Sequence, residues 1–321
     1  MAADDSADPR LNIPRAKGPR LSTQTVIVPI APLHRKASRR SGQETQLLYG
    51  HHFDVYEVKK GWVWGQAKSP VKGSKQKGYV GFVPSRFLEA QKMRASHIVT
   101  ALNAPMFSAA NIKSYIVQSL PLGAHVKGHS KNLGRDKEFL QIGSGGYIHR
   151  KHVRKIAEPP PSFDFVDAAE SHLGQPYVWG GISSQGLDCS GLVLSSLRAI
   201  GQNAPRDADM MEAQLGENLR VSQSGLKRGD LIFWKGHVGI MQTAGRMIHA
   251  NAFHMCVASE PLAEAVARIT TCQSTASQIQ IFYRSKCDLL SRQSIINSHA
   301  CITDKSRTVR IDLVITVAGT H

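Results

Sequence analysis

Cys189 follows a glycine-rich stretch, with Gly180-Gly181 and Gly186 ahead of it, and stands directly after Asp188. Aspartate is a residue type that starts helices by accepting an orphan backbone N–H. The run Asp188-Cys-Ser-Gly-Leu-Val-Leu-Ser-Ser-Leu-Arg-Ala-Ile200 has helical character and stops at Gly201. A cysteine in the first turn faces the positive end of the helix dipole, which favours a thiolate nucleophile. Such a nucleophile needs a base nearby. Most of the 14 histidines have polar neighbours, but His237 and His249 lie in apolar runs, Gly236-His-Val-Gly-Ile-Met241 and Met247-Ile-His-Ala250. Gln242-Thr-Ala-Gly245 between them has turn composition. A hairpin centred near Thr243 would set the two rings opposite each other on one face. One ring could then take the thiol proton while the other orients it. The plain alternative is a small buried thiol and two unrelated core histidines, and spacing alone leaves both open.

The elements that would position these groups fall into two kinds. Residues 1–20 are charged, hold three prolines and are expected to form a flexible arm. Short β-type runs follow: Thr25–Val28, Phe53–Val58 with period-two alternation, Gly61–Trp64 and Gly78–Val83. They predict a small barrel over 21–90. A second set, His97–Thr100, Lys113–Val117, Ala124–Lys127, Glu138–Ile142 and Gly146–His149, predicts another over 91–157. Gly78-Tyr-Val-Gly-Phe-Val-Pro84 and Gly145-Gly-Tyr-Ile-His149 could be equivalent closing strands of related modules. Glu158-Pro-Pro-Pro161 marks a stiff linker over 158–162. Beyond it, helical spacing over 163–173, 188–200 and 208–215 gives way to strands at 230–234, 237–241, 246–250 and 279–283. Helices first and an antiparallel sheet later predict an α+β domain over 163–284.

The chain has 321 residues, enough for two or three domains. Its 40 Lys and Arg against 24 Asp and Glu give a net charge of +16. Residues 1–160 carry 26 basic against 10 acidic residues, and so the whole of that excess. A basic half favours anionic partners. Lys68, Lys72, Lys75 and Lys77, set among Gly, Ser and Pro, read as one solvated loop or as an anion contact. No stretch approaches the roughly 18 apolar residues of a membrane helix. The opening Met1-Ala-Ala-Asp-Asp-Ser-Ala-Asp-Pro-Arg10 lacks the basic start and apolar run of a secretory leader. The five cysteines, at 189, 256, 272, 287 and 301, form no CxxC pair, so neither a zinc site nor a disulfide framework is expected. These features point to a cytoplasmic address with free thiols, leaving leaderless export open.

Four segments together resemble the NlpC-type (NlpC/p60) cysteine peptidases of bacterial cell-wall metabolism. They are Gln175-Pro-Tyr-Val-Trp-Gly-Gly181, Leu187-Asp-Cys-Ser-Gly191, Gly229-Asp-Leu-Ile-Phe-Trp-Lys-Gly-His-Val-Gly-Ile240 and Ile248-His-Ala-Asn251. The resemblance covers about 163–284, and the two preceding modules are similar to the bacterial SH3-like domains fused to one subgroup. It implies a papain-like catalytic domain behind two SH3-like barrels. It also implies cleavage of the γ-D-glutamyl–L-diamino acid bond of peptidoglycan stem peptides with a free N-terminal L-Ala. By the same resemblance Cys189 is the nucleophile, His237 the base and His249 the orienting residue. Tyr177 would help the Cys189 amide hold the oxyanion, and Asp188 and Ser190 would line the substrate side. A carboxylate beside a thiolate opposes its ionisation, so Asp188 is expected to bind the substrate ammonium or only to cap the helix. Gly42-Gln-Glu-Thr-Gln-Leu-Leu-Tyr-Gly50 and Gly78–Pro84 resemble the segments with which the first module closes the pocket, making Glu44 and Tyr79 candidates there. Pro205-Arg-Asp-Ala-Asp-Met210 also looks like family sequence, with no step attached to it. Residues 285–321 match nothing in the family, although Thr308–Val317 has β character.

The expected protein is therefore an endopeptidase of peptidoglycan recycling that acts on muropeptides without metal or organic cofactor, nucleic acid or membrane span. Two rivals remain: a binding protein for anionic wall fragments, and another amide hydrolysis or acyl transfer by the same Cys–His pair.

Overall fold

The computed structural model describes residues 8–71, 73–90, 93–129, 138–143, 145–160, 162–215, 225–272 and 280–282. All of these lie in one compact unit, Met1–Ser285. The second unit, Lys286–His321, and with it the expected β segment of the tail, lies outside the described residues.

The first module contains β1 (Ser22–Val26), β2 (Ile30–His34), β3 (Gln43–Leu48), β4 (His52–Lys59), β5 (Trp62–Ala67), β6 (Val80–Pro84) and β7 (Leu88–Glu89). They hydrogen-bond in the order β3-β2-β6-β5-β4-β1-β7. Phe53 and Val55 of β4 point inward, as the period-two pattern predicts, onto Val26, Leu33, Leu47 and Val83. The composition gave no sign of β2 or β3, whose mixed Pro, His, Gln and Glu content hides their alternation. The second module contains β8 (His97–Val99), β9 (Asn103–Phe107), β10 (Ile116–Pro121), β11 (His125–Val126), β12 (Gly128–His129), β13 (Phe139–Ile142), β14 (Tyr147–His149) and β15 (Val153–Lys155). Strand β6 lies between β2 and β5, and β14 lies between β9 and β13. Each is followed by a 3-10 turn, Ser85–Phe87 or Arg150–His152, and then a short strand. The two closing strands therefore occupy equivalent places.

The catalytic region begins with α1 (Phe165–Glu170), entered through a capping box of Asp164 and Asp167. A two-stranded ribbon, β16 (Ile182–Ser183) and β17 (Gly186–Leu187), precedes α2 (Cys189–Ala199). Then come α3 (Ala208–Gln214), β18 (Leu231–Trp234), β19 (His237–Met241), β20 (Arg246–Asn251), β21 (Cys256–Pro261), α4 (Leu262–Cys272) and β22 (Gln280–Phe282). The sheet is antiparallel, ordered β21-β20-β19-β18-β22. Helix α2 is buried at every position from Cys189 to Leu197, and its apolar side chains share one core with both β modules.

One expectation needs correction and another an addition. The arm over residues 1–20 is not wholly free: Leu11 is buried in the core of the first module, and its carbonyl accepts from Gln66 at 2.8 Å. An apolar side chain in a charged arm gives no periodic signal, yet one buried leucine suffices to tie it down. The lysine-bearing loop is more than a solvated excursion. Ser69 and Ser74 each accept from Asn203 at 3.1 Å, and Gln76 donates to Gln214 at 3.2 Å. The loop is thus also a bridge to the catalytic region. Among the described residues no helix is long and apolar enough to cross a membrane.

Candidate active site

Asp188 adopts extended backbone as the N-cap of α2, which sets Cys189 in the first helical turn. The loop before it is held in place by glycine geometry. Gly180 has φ +73 and donates its N–H to Asp188 Oδ2 at 2.9 Å. A Cβ on Gly191 would lie 2.0 Å from the Gly181 carbonyl oxygen, so only glycine lets loop and helix approach this closely.

Cys189 is buried, and its sulfur faces the backbone amides of Val238 and Ser190. Val238 directly follows His237, so the contact brings the start of β19 onto the helix end. Burial first, and then Asp188, push the thiol up to about 12. Burial first, and then His249, pull His237 down to about 3. Both shifts favour the neutral forms, a thiol and an imidazole, before substrate enters.

His237 Nε2 and His249 Nδ1 are 2.8 Å apart. The hairpin is centred one residue later than expected, pairing Ile240 with Ile248 and Met241 with Met247. Continued, that register sets His237 and His249 diagonal rather than directly opposite. A shift of two residues in pairing keeps both side chains on the same face, so the rings still meet. His249 is fully buried, and its Nε2 lies 2.5 Å from Glu260 Oε1. Glu260 in turn accepts from both terminal nitrogens of Arg268, at 2.7 and 2.5 Å. Although burial opposes its charge, Arg268 and His249 hold the Glu260 carboxyl below its ordinary value. Glu260 can only accept, so His249 carries its proton on Nε2 and presents Nδ1 as an acceptor. His237 must then donate from Nε2, which leaves its Nδ1 lone pair as the base. Neither Glu260 nor Arg268 was anticipated. On β21, Glu260 is two residues beyond Ala258, the partner of His249, so it shares the face of His249. Its strand carries no motif that would single it out.

Tyr177 is half-buried against the same core, and burial, Cys189 and Asp188, in that order, push its phenol up to about 12. It therefore stands beside the thiol as a neutral donor.

Asp188 and Ser190 lie in a buried polar cluster. Asp188 accepts from the backbone of Gly180 and Gly191, from Ser190 Oγ at 3.3 Å, and from two nitrogens of Arg206 at 3.1 and 2.7 Å. Arg206 also donates to Ser190 Oγ at 2.9 Å and to Thr45 Oγ1 at 2.7 Å. Burial opposes the charge of Arg206, yet Asp188 holds its guanidinium above its ordinary value. With five donors and a paired cation, the Asp188 carboxylate offers no free anion to a substrate ammonium, so that expected duty does not fit the geometry. Arg206, from the Pro205–Met210 segment, is the residue that the sequence left without a role.

The first module reaches this cluster through β3. Gln43 donates to the Trp179 carbonyl at 2.9 Å, and Gln46 accepts from the Ile182 amide at 3.1 Å. Glu44 lies between these contacts, paired with Arg35 at 3.0 Å. Tyr79 is buried, and its hydroxyl donates to Asp207, the neighbour of Arg206. Arg10 of the arm donates to Asp207 at 2.8 Å and to Asp209 at 2.7 Å. Glu44 and Tyr79 thus both sit on the face of the first module that meets the catalytic region, through different partners.

Residues 174–275 match the NlpC/P60 family, and residues 33–88 match the bacterial dipeptidyl-peptidase SH3 domain. The chain is 28% identical over 223 residues to a γ-D-glutamyl-L-lysine dipeptidyl-peptidase of Bacillus subtilis, covering 64% of this chain and 72% of that protein. It is 24% identical over 237 residues to dipeptidyl-peptidase 6 of Lysinibacillus sphaericus, covering 70% and 86%. The fold is that of an NlpC/P60 family protein from Bacillus cereus, with a TM-score of 0.62 at 21% identity over 75% of this chain and 94% of that one. A buried Cys189 at a helix start, a histidine pair across a hairpin and these matches make residues 174–275 an NlpC/P60 cysteine peptidase domain, with a bacterial SH3 domain ahead of it over residues 33–88.

Proposed function

We propose that this chain hydrolyses the γ-D-glutamyl–L-diamino acid bond of peptidoglycan stem peptides that carry a free N-terminal L-Ala. The observation that carries the reading is the His237–His249–Glu260 relay, in which a carboxylate orders two imidazoles on the sheet that packs against the helix bearing Cys189. The names of the relatives, γ-D-glutamyl-L-lysine dipeptidyl-peptidase and dipeptidyl-peptidase 6, support the substrate class.

In this reading the Cys189 proton passes to His237 Nδ1 as the sulfur attacks the γ-carbonyl carbon. The neutral resting pair delays charge separation until substrate has displaced water and its developing oxyanion offsets the imidazolium. The Tyr177 hydroxyl and the Cys189 amide hold that oxyanion. Collapse breaks the C–N bond, and His237 returns its proton to the leaving amine. Water then attacks the thioester, restoring the thiol and releasing L-Ala-D-Glu. The substrate ammonium is taken up on this interface, where Tyr79 meets Asp207 and Glu44 lies on the same face of the first module. Asp188, Ser190 and Arg206 hold the loop that shapes the pocket. A free L-Ala arises once glycan has been removed, which fits trimming of muropeptides in the cytoplasm during recycling.

Mass spectrometry of L-Ala-γ-D-Glu-diaminopimelate incubated with wild type and with Cys189→Ala tests this. Release of L-Ala-D-Glu by the wild type alone is expected. Equal release by both proteins would remove the nucleophile assignment. No release by a wild type that circular dichroism shows to be folded would move the reading to another amide bond or to acyl transfer.

A further inference from the structure

At the far end of α2, nine residues and so about 13 Å from Cys189 at helical rise, lies a cavity the peptidase chemistry does not use. Its volume is about 340 Å³, within the range of small-molecule sites. All three modules build it. Leu48 comes from the first, Ile98 and Leu122 from the second, and Ile182 and Ala199 from the catalytic region, with Phe163 closing the linker side. The walls are mostly apolar, yet two arginines, Arg198 and Arg154, are among the lining residues. Arg198 donates Nε to Asn203 at 3.1 Å, and among the described residues no carboxylate pairs with it. Arg154 spends one terminal nitrogen on the carbonyls of Lys155 and Glu158, and its buried Nε has no acceptor. The Glu158 carboxylate pairs with Lys155 instead.

Burial and the nearby Arg206 both work against the charge on Arg198. A partly buried cation with no counterion is costly, and an anionic ligand would relieve that cost. His51 also lines the cavity but supplies no charge there: its Nδ1 accepts from the Leu48 amide and its Nε2 donates to the Gly123 carbonyl. Burial keeps that ring neutral. The cavity therefore combines an apolar chamber with unpaired guanidinium donors at its wall.

We propose that this three-module cavity binds a small amphiphilic carboxylate, its hydrocarbon body in the chamber and its head group on Arg198 and Arg154. A bidentate guanidinium–carboxylate pair suits one planar head group better than a bulky multivalent anion in so apolar a chamber. Such a ligand would touch all three modules at once and so stabilise their assembly.

Calorimetric titration of the full-length protein with octanoate, and separately with the neutral isostere octanamide, tests the proposal. One octanoate per chain is expected, with octanamide weaker by about tenfold or more, the loss of a charged hydrogen bond. Arg198→Met should weaken octanoate to the level of octanamide, whereas Arg198→Lys should keep the discrimination in part. Leu122→Trp, which fills the chamber from another module, should abolish binding of both while the far-UV circular dichroism and the thermal midpoint stay near those of the wild type, which serves as the control for folding. Equal affinities for octanoate and octanamide, no saturable binding, or undiminished binding in Leu122→Trp would each overturn it.

Discussion

His249 Nε2 lies 2.5 Å from Glu260 Oε1, and this one contact fixes the protons of two rings. A buried acceptor forces His249 to donate there, and His249 then forces His237 to donate from Nε2. The base is thereby Nδ1 of His237, set by a residue that touches neither the thiol nor the substrate.

Glu260→Gln should therefore lower kcat on the order of a hundredfold and leave KM nearly unchanged, as expected for loss of tautomer control behind a general base. A pH–rate profile with a shifted acid limb would separate this from general destabilisation. An unchanged profile and kcat would show that Glu260 serves only to pair Arg268.

The neutral resting state sets a pH dependence of stability. His237 titrates at about 3 in the folded chain, and His249, His172 and His125 at about 4, against 6.5 for an exposed ring. A depressed value means that the unfolded chain binds more protons below pH 6.5. Stability from these rings is then complete above that pH and lost as pH falls toward 4 and 3. Denaturant titrations should show a steep fall between pH 6.5 and 4, up to about 2–3 kcal/mol for each of the four rings. A flat profile over that window would contradict the burial of these rings.

Arg206→Ala should leave Asp188 as a buried unpaired charge and cost about 3–5 kcal/mol of stability. Asp188→Ala together with Arg206→Ala should recover part of that loss, because the uncompensated charge is gone. A double-mutant cycle on denaturation midpoints reads the coupling. Additive losses would mean that the two side chains act independently.

Arg10 occupies Asp207, the carboxylate that also accepts from Tyr79. If the substrate ammonium is bound there, Arg10→Ala should lower KM for peptides with free L-Ala by a factor of about two to five, since a partly exposed pair contributes up to about 1 kcal/mol. N-acetylated peptides should show no change. A rise in KM for both would assign Arg10 to holding the modules together.

Much of this protein was legible from local pattern. The helix beginning at Cys189 announces itself through its N-cap, its apolar spacing and its terminal glycine, all within one short stretch. The His237 and His249 strands alternate and flank a turn, so their meeting follows from strand geometry even with the pairing displaced. The closing strands of the two β modules resemble each other in sequence and hold equivalent places in their sheets. What only the tertiary structure decided are contacts between distant segments: Arg206 with Thr45 and Asp188, Tyr79 with Asp207, Glu260 with His249 across a register diagonal, and the arginine-lined cavity among three modules. A helix or strand leaves a period in the sequence because its own backbone repeats. A side-chain partner reached through folding leaves none, since its position depends on how whole elements pack.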